Sequence, residues 1–431
     1  MIRTTLEVGR DEILLIGFSI NLLGRVDLPH GSVVVIDEPD VIRKRDLRAK
    51  LADYPAVSSL LACPYQDHTE LRRLLASEPS LRRVRAVVPG VEYAVGAASI
   101  VATGLGLPGA GLLAGVILRD KYRQRLLATD AGLRNPEFRL VSTPGDVEDF
   151  MAGRGACVLK PTSRQASLGV QVLSSPGEIA DAWRRSAILD EGAAAPDRGV
   201  ESQLMVERAV TGAEFSVEML VAGGAPCFAN VTAKEVLSGP HPIECGHVVP
   251  APVPGELATG LVEATIRFGR AASFGWGVLH AEWIVDREGW VLVECAGRLP
   301  GDEICGLIAA AYEFEFVESY LRCLLGEQPS CPDQASRAAA IRFLGAAEGR
   351  VVAVGGVEAA RAQPGVTDVS VEVGPGDTVR ALRSSWDRIG HVISVARDPE
   401  AARRVAREAS DLVAVTVGDP ARALAGPAAR L

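Results

Sequence analysis

The fold of this chain is decided by the stretch His280-Ala-Glu-Trp-Ile-Val-Asp-Arg-Glu-Gly-Trp-Val-Leu-Val-Glu294. Its two ends are rich in apolar and aromatic residues and are typical of β-strands. Between them, Arg287-Glu288-Gly289 is typical of a three-residue hairpin loop. Glycine at the third loop position readily takes the left-handed conformation that such loops need. The stretch therefore predicts a β-hairpin that closes with Asp286 opposite Trp290.

Two glutamates face each other in this register, which places Ile284 opposite Leu292 and Glu282 opposite Glu294. At an effective dielectric near 20, two carboxylates about 5 Å apart repel by on the order of 3 kcal/mol. A divalent cation would offset this repulsion, and carboxylates without a nearby Cys or His suit magnesium bound with substrate phosphates better than zinc. The alternative is an exposed hairpin with two solvated glutamates. Arg298, in a glycine-rich turn just beyond the hairpin, favours the metal site.

Lysine is scarce in the chain, since only five of the 45 basic residues are lysine. We expect a lysine that has not been replaced by arginine to be needed as a compact charge on a flexible stem, for example at phosphate oxygens. Lys44 and Lys50 lie in a charged helical segment and need no such explanation. Lys121, Lys160 and Lys234 are therefore candidate site residues.

Composition excludes several classes of function. The net charge of −9 provides no basic surface for nucleic acid or for an anionic membrane. The eight cysteines form no CxxC pair and are expected to be small buried side chains in a reducing compartment. The N-terminus has no signal-peptide apolar core, so a cytoplasmic location is expected.

The uncharged segment from Tyr93 to Leu118 is long enough to span a bilayer. Several glycines and Pro108 interrupt it, however, and predict two short buried helices around a Gly-Leu-Pro-Gly turn. We therefore expect no membrane partner.

Strands and helices alternate at both ends of the chain. Apolar runs at 13–18, 33–37 and 84–88 are typical of buried parallel strands in a Rossmann-like unit. No GxGxxG turn follows the first run, so a dinucleotide site is not expected there. Beyond Pro332, a compact α/β unit is predicted with strands at 350–354, 368–373, 391–395 and 412–416.

Several motifs, taken in order, resemble the ATP-grasp superfamily. They are Asp120-Lys121 opening a helix, Val158-Leu-Lys160-Pro before a Ser/Gly loop, Val206-Glu207 followed by Gly212-Ala-Glu214, and Glu282 with Glu294-x-x-x-Arg298. Two further stretches resemble the carboxylate–amine ligases that join L-amino acids into dipeptides: Gly104-Leu-Gly-Leu-Pro-Gly109 and Glu244-Cys-Gly-His247-Val-Val-Pro250. The resemblance covers nearly the whole chain.

This resemblance implies an α/β (α+β) ATP-grasp fold in three parts. Residues 1–118 would form an N-terminal Rossmann-like domain and residues 119–332 the ATP-grasp domain. The latter would consist of a lid at about 138–205 and a catalytic core at 206–332. Residues 333–431 would form a C-terminal subdomain similar to that of biotin carboxylase.

The resemblance also implies an ATP site that consists of Lys121, Lys160, Ser167, Glu207, Arg208, Val210 and Glu214. The two lysines would hold the α- and β-phosphates, and Ser167 lies in the loop 162–170 that would cover them. The backbone from Arg208 to Val210 would bond the adenine edge, and Glu214 would accept hydrogen bonds from the ribose. This loop departs from the family pattern, because Gly169 is its only glycine.

The implied metal ligands are Glu282 and Glu294, for magnesium or manganese. Arg298 would hold the γ-phosphate or an acyl phosphate, with a structural salt bridge as the alternative. Lys234 and His247 would contact the substrate carboxylate or the developing tetrahedral centre, with a structural histidine as the alternative. Ala296 departs from the family pattern, since many members have a metal-binding asparagine at that position.

The function that this resemblance implies is ATP-dependent amide or peptide bond formation through an acyl phosphate, with release of ADP and phosphate. The substrates would be small-molecule amino acids or peptides, in a setting such as peptide-antibiotic biosynthesis. The alternatives are an ATP-dependent carboxylase or purine-pathway enzyme, and a degenerate nucleotide-binding module. The sequence does not identify the two substrates, and it leaves a homodimer open.

Overall fold

The computed structural model describes residues 6–187, 192, 196, 203–237 and 242–418. Its strands are β1 (Ile13–Ile16), β2 (Val33–Asp37), β3 (Val57–Ala62), β4 (Ala86–Pro89), β5 (Phe138–Val141), β6 (Cys157–Pro161), β7 (Gln171–Leu173), β8 (Leu204–Arg208), β9 (Ala213–Ala222), β10 (Ala225–Val236), β11 (Glu244–Val249), β12 (Gly277–Asp286), β13 (Gly289–Ala296), β14 (Ala338–Leu344), β15 (Gly349–Gly355), β16 (Val366–Val371), β17 (Thr378–Val379), β18 (Gly390–Ala396) and β19 (Ala414–Gly418).

The helices are α1 (Ile20–Leu23), α2 (Pro39–Lys44), α3 (Leu47–Lys50), α4 (His68–Ser77), α5 (Val95–Leu105), α6 (Leu112–Ile117), α7 (Lys121–Asp130), α8 (Pro144–Met151), α9 (Ile179–Ser186), α10 (Gly255–Ala271), α11 (Ile304–Tyr312), α12 (Phe316–Leu324), α13 (Val357–Arg361) and α14 (Pro399–Ser410). Single 3₁₀ turns lie at Leu51–Asp53, Pro79–Arg83, Glu92–Ala94, Pro176–Glu178 and Ser385–Asp387. The predicted α/β class is confirmed.

The N-terminal sheet is parallel throughout, in the order β3-β2-β1-β4. Strands β1 and β2 are fully buried, as their uninterrupted apolar runs predicted. The edge strand β3 was not predicted, because its two serines and half-buried side chains interrupt the apolar pattern.

The uncharged segment from 93 to 118 contains the two predicted helices, α5 and α6. Gly106 ends α5 in the left-handed conformation, with φ at 68°. The prediction that both helices are buried is wrong for α6, where Leu112, Leu113 and Val116 are about half exposed. Only its small residues face inward, and a Cβ on Gly115 would lie 2.5 Å from the Ser99 hydroxyl. None of the helices described is both long enough and apolar enough to cross a membrane.

A four-stranded antiparallel sheet, in the order β5-β8-β6-β7, lies in the region predicted as the lid, which is called the lid sheet below. Part of the predicted lid, between 188 and 202, lies outside the described residues except at 192 and 196. The Asp120 side chain caps α7 by accepting a hydrogen bond from the backbone of Arg123, so Lys121 opens the helix as predicted. Glu207 lies in this sheet through β8, whose neighbour β6 carries Lys160.

The central sheet has eight strands in the order β13-β12-β9-β10-β11-β14-β18-β16, and every pair is antiparallel. It begins at the predicted hairpin and continues into strands from beyond residue 333. Strand β14 was not predicted, because its Ala-Ala-Ala run lacks the β-branched and aromatic residues of typical strands. It is a buried strand that is hydrogen-bonded to β11 on one side and to β18 on the other, and its small side chains fit there.

The hairpin β12-β13 closes differently from the prediction. The pairing of Asp286 with Trp290 and of Ile284 with Leu292 is wrong, because each of these β12 residues pairs one position earlier on β13. The loop therefore has two residues instead of three. The Asp286 carboxylate tightens the loop by accepting a hydrogen bond of 2.8 Å from the backbone of Glu288.

Glu282 nevertheless pairs with Glu294, as predicted. The register shifts between Glu282 and Trp283, because a β-bulge at Val293 adds one residue to β13. The bulge compensates for the shorter loop. The carbonyl of Val293 accepts a 2.7 Å hydrogen bond from the buried guanidinium of Arg125.

Candidate active site

Two adjoining cavities meet at the facing glutamates. The first has a volume of about 560 Å³ and lies between the lid sheet and the central sheet. It is lined by all the residues predicted for nucleotide and metal, namely Lys121, Lys160, Ser167, Glu207, Arg208, Val210, Glu214, Glu282 and Glu294, and also by Lys234. The second, of about 310 Å³, shares Lys234, Glu282 and Glu294 and adds His247 and Arg298.

Glu282 is bound on two sides by cationic groups. Its Oε1 accepts hydrogen bonds from Lys234 Nζ at 2.6 Å and from His280 Nε2 at 3.3 Å. Lys234 is also 3.1 Å from Glu244 Oε1. Burial opposes the charge of Lys234, but the carboxylates of Glu282 and Glu244 outweigh it and hold the pKa of the lysine well above its usual value. Lys234 is therefore a fixed cation between the two cavities.

Glu294 is bound by the other candidate lysine near the hairpin. Lys121 Nζ is 2.6 Å from Glu294 Oε2 and donates a 2.7 Å hydrogen bond to the carbonyl of Arg164. The backbone N–H of Lys121 donates to the carbonyl of Thr162. In this structure, one lysine on each glutamate thus offsets the predicted carboxylate repulsion. Lys121 also ties the start of α7 to the loop 162–170.

The donor set at the hairpin fits a hard divalent cation. Within the described ranges, no group of three or more His, Cys, Asp or Glu side chains is arranged to hold a metal ion by itself. Magnesium needs few protein ligands, however, since it keeps several waters and binds phosphate oxygens. The facing carboxylates of Glu282 and Glu294 at the mouth of both cavities would suffice for such a cation.

Lys160 lies at the base of the first cavity, against the carboxylate of Glu207. Burial lowers its pKa to about 8, although Glu207 opposes this shift. Arg125, which the sequence analysis missed, is fully buried on the other side of Glu207, at 3.1 Å. Arg125 follows Lys121 by four residues on α7, so the two side chains lie on the same face of the helix. This spacing could have identified Arg125 from the sequence.

In the segment from Arg208 to Val210, which was predicted to bind adenine, fewer backbone N–H groups than expected are available. The N–H groups of Arg208 and Ala209 donate to the carbonyls of Glu137 and Ala156 within the lid. Among the described residues, Val210 has no such partner, so its N–H is the donor in this segment that remains for a ligand. Arg208 therefore contributes the wall of the cavity.

Glu214 lies on β9, opposite Lys234 on β10 and Ile284 on β12. Burial raises its pKa to about 7, with Lys234 opposing and Glu282 adding to the shift. Glu214 lines the first cavity.

Arg298 forms a salt bridge, which is the structural role given above as the alternative to phosphate binding. Its Nε is 2.9 Å from Glu92 Oε2, and the other oxygen of Glu92 is 2.6 Å from Arg119. Its Nη1 donates to the carbonyl of Leu299, whereas its Nη2 has no acceptor in the part of the chain that the structure describes. Arg298 is thus oriented by Glu92 and still lines the second cavity. Glu92 was missed, because no spacing rule links the two residues.

His247 is almost fully buried, at 1% exposure, and pairs with Lys234 across β10 and β11. Its Nε2 lies 3.2 Å from Asp302 Oδ2, and Asp302 also accepts a 2.9 Å hydrogen bond from Arg388. Its Nδ1 has no protein partner among the described residues. The Nε2 side of the ring is therefore structural, as in the alternative given above, and the Nδ1 side is buried without a partner among these residues.

A buried network behind Glu282 was also missed. His280 Nδ1 lies 3.0 Å from Glu218 Oε1, and Glu218 further accepts hydrogen bonds from Ser216, Thr232 and Asn230. Burial disfavours the imidazolium, but Glu218 and Glu282 raise the pKa of His280 to about 9. Side chains alternate between the two faces along β12, so His280 and Glu282 lie on the same face. This spacing could have identified His280 from the sequence.

Comparisons with known proteins agree with this geometry. The family model described as ATP-grasp domain matches residues 154–306, and the model described as L-amino acid ligase C-terminal domain 2 matches residues 342–418. An uncharacterized protein of Sinorhizobium fredii is 27% identical over 306 residues, which is 68% of this chain and 60% of that protein. The match thus spans less than two thirds of that relative. A D-alanine–D-alanine ligase of Pseudomonas fluorescens is 25% identical over 51% of this chain and 67% of its own length.

Solved structures share the fold over nearly the whole chain. The L-amino acid ligase of Bacillus licheniformis superposes with a TM-score of 0.77 at 18% identity, covering 96% of this chain and 100% of that one. The phosphoribosylglycinamide synthetase of Anaerococcus prevotii has a TM-score of 0.66 at 12% identity and covers 95% and 100% of the two chains.

Proposed function

From the premise that the chain contains an ATP-grasp domain and an L-amino acid ligase C-terminal domain, as its motifs predicted, we propose that it is an ATP-dependent carboxylate–amine ligase. It would activate the carboxylate of an amino acid or related acid as an acyl phosphate and join it to the amine of an amino acid or peptide. The products are an amide, ADP and phosphate. A need for magnesium and a cytoplasmic location belong to the same proposal.

The observation that carries this proposal is the meeting of the two cavities at Glu282 and Glu294. A nucleotide in the first cavity would direct its phosphates toward this junction, and a carboxylate in the second would meet them there. A magnesium ion bound at these glutamates would neutralise charge on the phosphates. Lys121 would then exchange its contact with Glu294 for one with a phosphate oxygen.

Residues of the second cavity suit the later half of the reaction. The free Nη2 of Arg298 would donate to the acyl phosphate, in an orientation fixed by Glu92. Lys234 would stabilise negative charge that develops on the reacting carbonyl oxygen. His247, which lines this cavity, would contact the substrate carboxylate or the developing tetrahedral centre.

The match of residues 342–418 favours this function over a carboxylase or purine-pathway enzyme, since that model describes L-amino acid ligases. The convergence of three lysines, two glutamates and Arg298 on connected cavities argues against a degenerate module. Such a module would have no reason to keep paired carboxylates at the junction.

The test is an assay of purified protein with ATP, magnesium and mixed amino acids or short peptides. We expect ADP and phosphate, with a product whose mass equals that of the two substrates less one water. AMP and pyrophosphate would contradict the acyl-phosphate route. ATP turnover that requires bicarbonate would favour the carboxylase alternative, and no turnover with any carboxylate–amine pair would favour the degenerate module.

A further inference from the structure

One wall of the second cavity comes from the C-terminal part of the chain. Ser385, Trp386 and Arg388 line it, although they lie about 90 residues beyond the hairpin that forms the opposite wall. The 3₁₀ turn that carries them is held by Ser384, whose hydroxyl and backbone N–H both donate to Asp387 at 2.9 Å. The turn is therefore a defined element of the cavity.

This turn is bonded directly to acidic residues of the cavity. The hydroxyl of Ser385 donates a 3.0 Å hydrogen bond to Glu244 Oε2. Arg388 donates to Asp302 and stacks on the ring of Phe343, with 3.7 Å from its guanidinium carbon to the ring centroid. The contacts of Ser385 and Arg388 hold the backbone on both sides of Trp386, which lines the cavity.

Trp386 is 43% exposed, which is unusual for so large an apolar side chain held between two anchors. Among the described residues, it takes part in no ring–ring or cation–ring contact. The charged groups nearby are already paired, Arg298 with Glu92 and Arg388 with Asp302. The indole thus offers an open apolar surface beside these ion pairs.

The position of the turn indicates which of the two substrates would meet Trp386. The carboxylate to be activated must reach the junction at Glu282 and Glu294. The turn instead contacts Glu244 and Asp302. The second cavity as a whole is lined by five carboxylates against three lysine and arginine side chains, and this excess of negative charge would attract the ammonium group of an arriving amine. Trp386 therefore lies on the side from which the amine would approach.

We propose that Trp386 is a specificity-determining residue whose indole receives the side chain of the amine substrate and selects an apolar, above all aromatic, amino acid. This rests on the ligase function proposed above.

The test compares phenylalanine, alanine and lysine as amines with one fixed carboxylate, using Trp386→Ala and Trp386→Phe. We expect the ratio of kcat/KM for phenylalanine over alanine to fall about tenfold or more in Trp386→Ala and to be largely retained in Trp386→Phe. Val352→Ala is the matched control, since Val352 is exposed on the same C-terminal part and lines neither cavity. Melting temperatures show whether each variant is folded.

A second readout does not depend on turnover. Phenylalanine added to the protein with a non-hydrolysable ATP analogue and magnesium should change the tryptophan fluorescence, and Trp386→Phe should lose this change. An unaltered phenylalanine-to-alanine ratio in Trp386→Ala would overturn the proposal. So would a loss confined to lysine, or a selectivity that follows the carboxylate component. If the native protein turns over no ATP with any carboxylate–amine pair, the proposed ligase function is wrong. The fluorescence titration then tests separately whether phenylalanine binds at Trp386.

Discussion

The two cavities share Lys234 and the facing glutamates, yet they are built in different ways. The first is lined by residues of the lid and the central sheet that follow one another in short motifs between 121 and 294. The second is assembled from the loop at 90–92, the turn at 298–302 and the distant turn at 385–388. The proposed nucleotide site is thus encoded locally, whereas the proposed substrate site depends on which distant segments the fold brings together.

The sharpest test of the shared junction is Glu294→Gln, which keeps the size of the side chain and removes its charge. We expect turnover to fall at least about 100-fold, because a metal ligand is lost while Lys121 loses its partner. The matched control is Glu288→Gln in the loop of the same hairpin, whose side chain is 77% exposed. Near-normal turnover of Glu294→Gln at ordinary magnesium concentrations would refute the metal assignment.

A second test addresses the first cavity alone. Lys160→Met should weaken ATP binding about 10- to 100-fold, since a charge-assisted hydrogen bond to phosphate is lost. Nucleotide should also cease to protect the loop 162–170 from protease. Lys50→Met provides the comparison, because Lys50 lies at the exposed end of α3. Equal cleavage of the native loop with and without nucleotide would count against a lid that closes on phosphate.

The second cavity can be perturbed separately through Glu92→Gln. Arg298 and Arg119 would then lose the buried carboxylate that orients them. We expect the KM for the carboxylate substrate to rise about tenfold, with little change in the dissociation constant of ATP. Steady-state kinetics and calorimetry measure the two quantities. A loss confined to ATP binding would show that the two cavities are not functionally distinct.

The smallest expected effect is a pH dependence of ATP binding. The pKa of Lys160 is lowered to about 8, so this lysine is protonated below that pH and loses its charge above it. ATP affinity should therefore fall about twofold from pH 7 to pH 8, where half of the lysine is uncharged, and several-fold more by pH 9. In Lys160→Arg the fall should be absent, because guanidinium stays protonated. An identical pH profile for both proteins would assign the titration to another group.

The sequence identified residues that line the first cavity where chemistry and chain order coincide. The scarcity of lysine selected Lys121, Lys160 and Lys234, and all three line the first cavity. The facing of Glu282 and Glu294 was predicted from a register that was wrong by one residue, and the bulge in β13 cancelled the error. Alternation alone cannot reveal a bulge, because its position depends on a tertiary contact such as that of Arg125 with the Val293 carbonyl.

Other parts could not be predicted, because they depend on contacts between distant segments. Glu92 orients Arg298 across 206 residues of chain, and Arg388 reaches Asp302 across 86. Strand β14 has a composition that favours a helix, and its pairing with β11 overrides that preference. In each case, the role of the residue depends on a partner that lies far away in the sequence.

The continuity of the central sheet bears on how the chain could be divided or recombined. Strand β14 covers β11 along residues Gly246 to Val249, so a shortened chain that stops before 338 would leave those backbone groups unpaired. An open strand of this kind is a template for pairing with other molecules. We therefore expect that β14 cannot be removed without exposing the edge of the sheet. Strands β14, β16 and β18 share one sheet with the strands that carry Lys234 and His247.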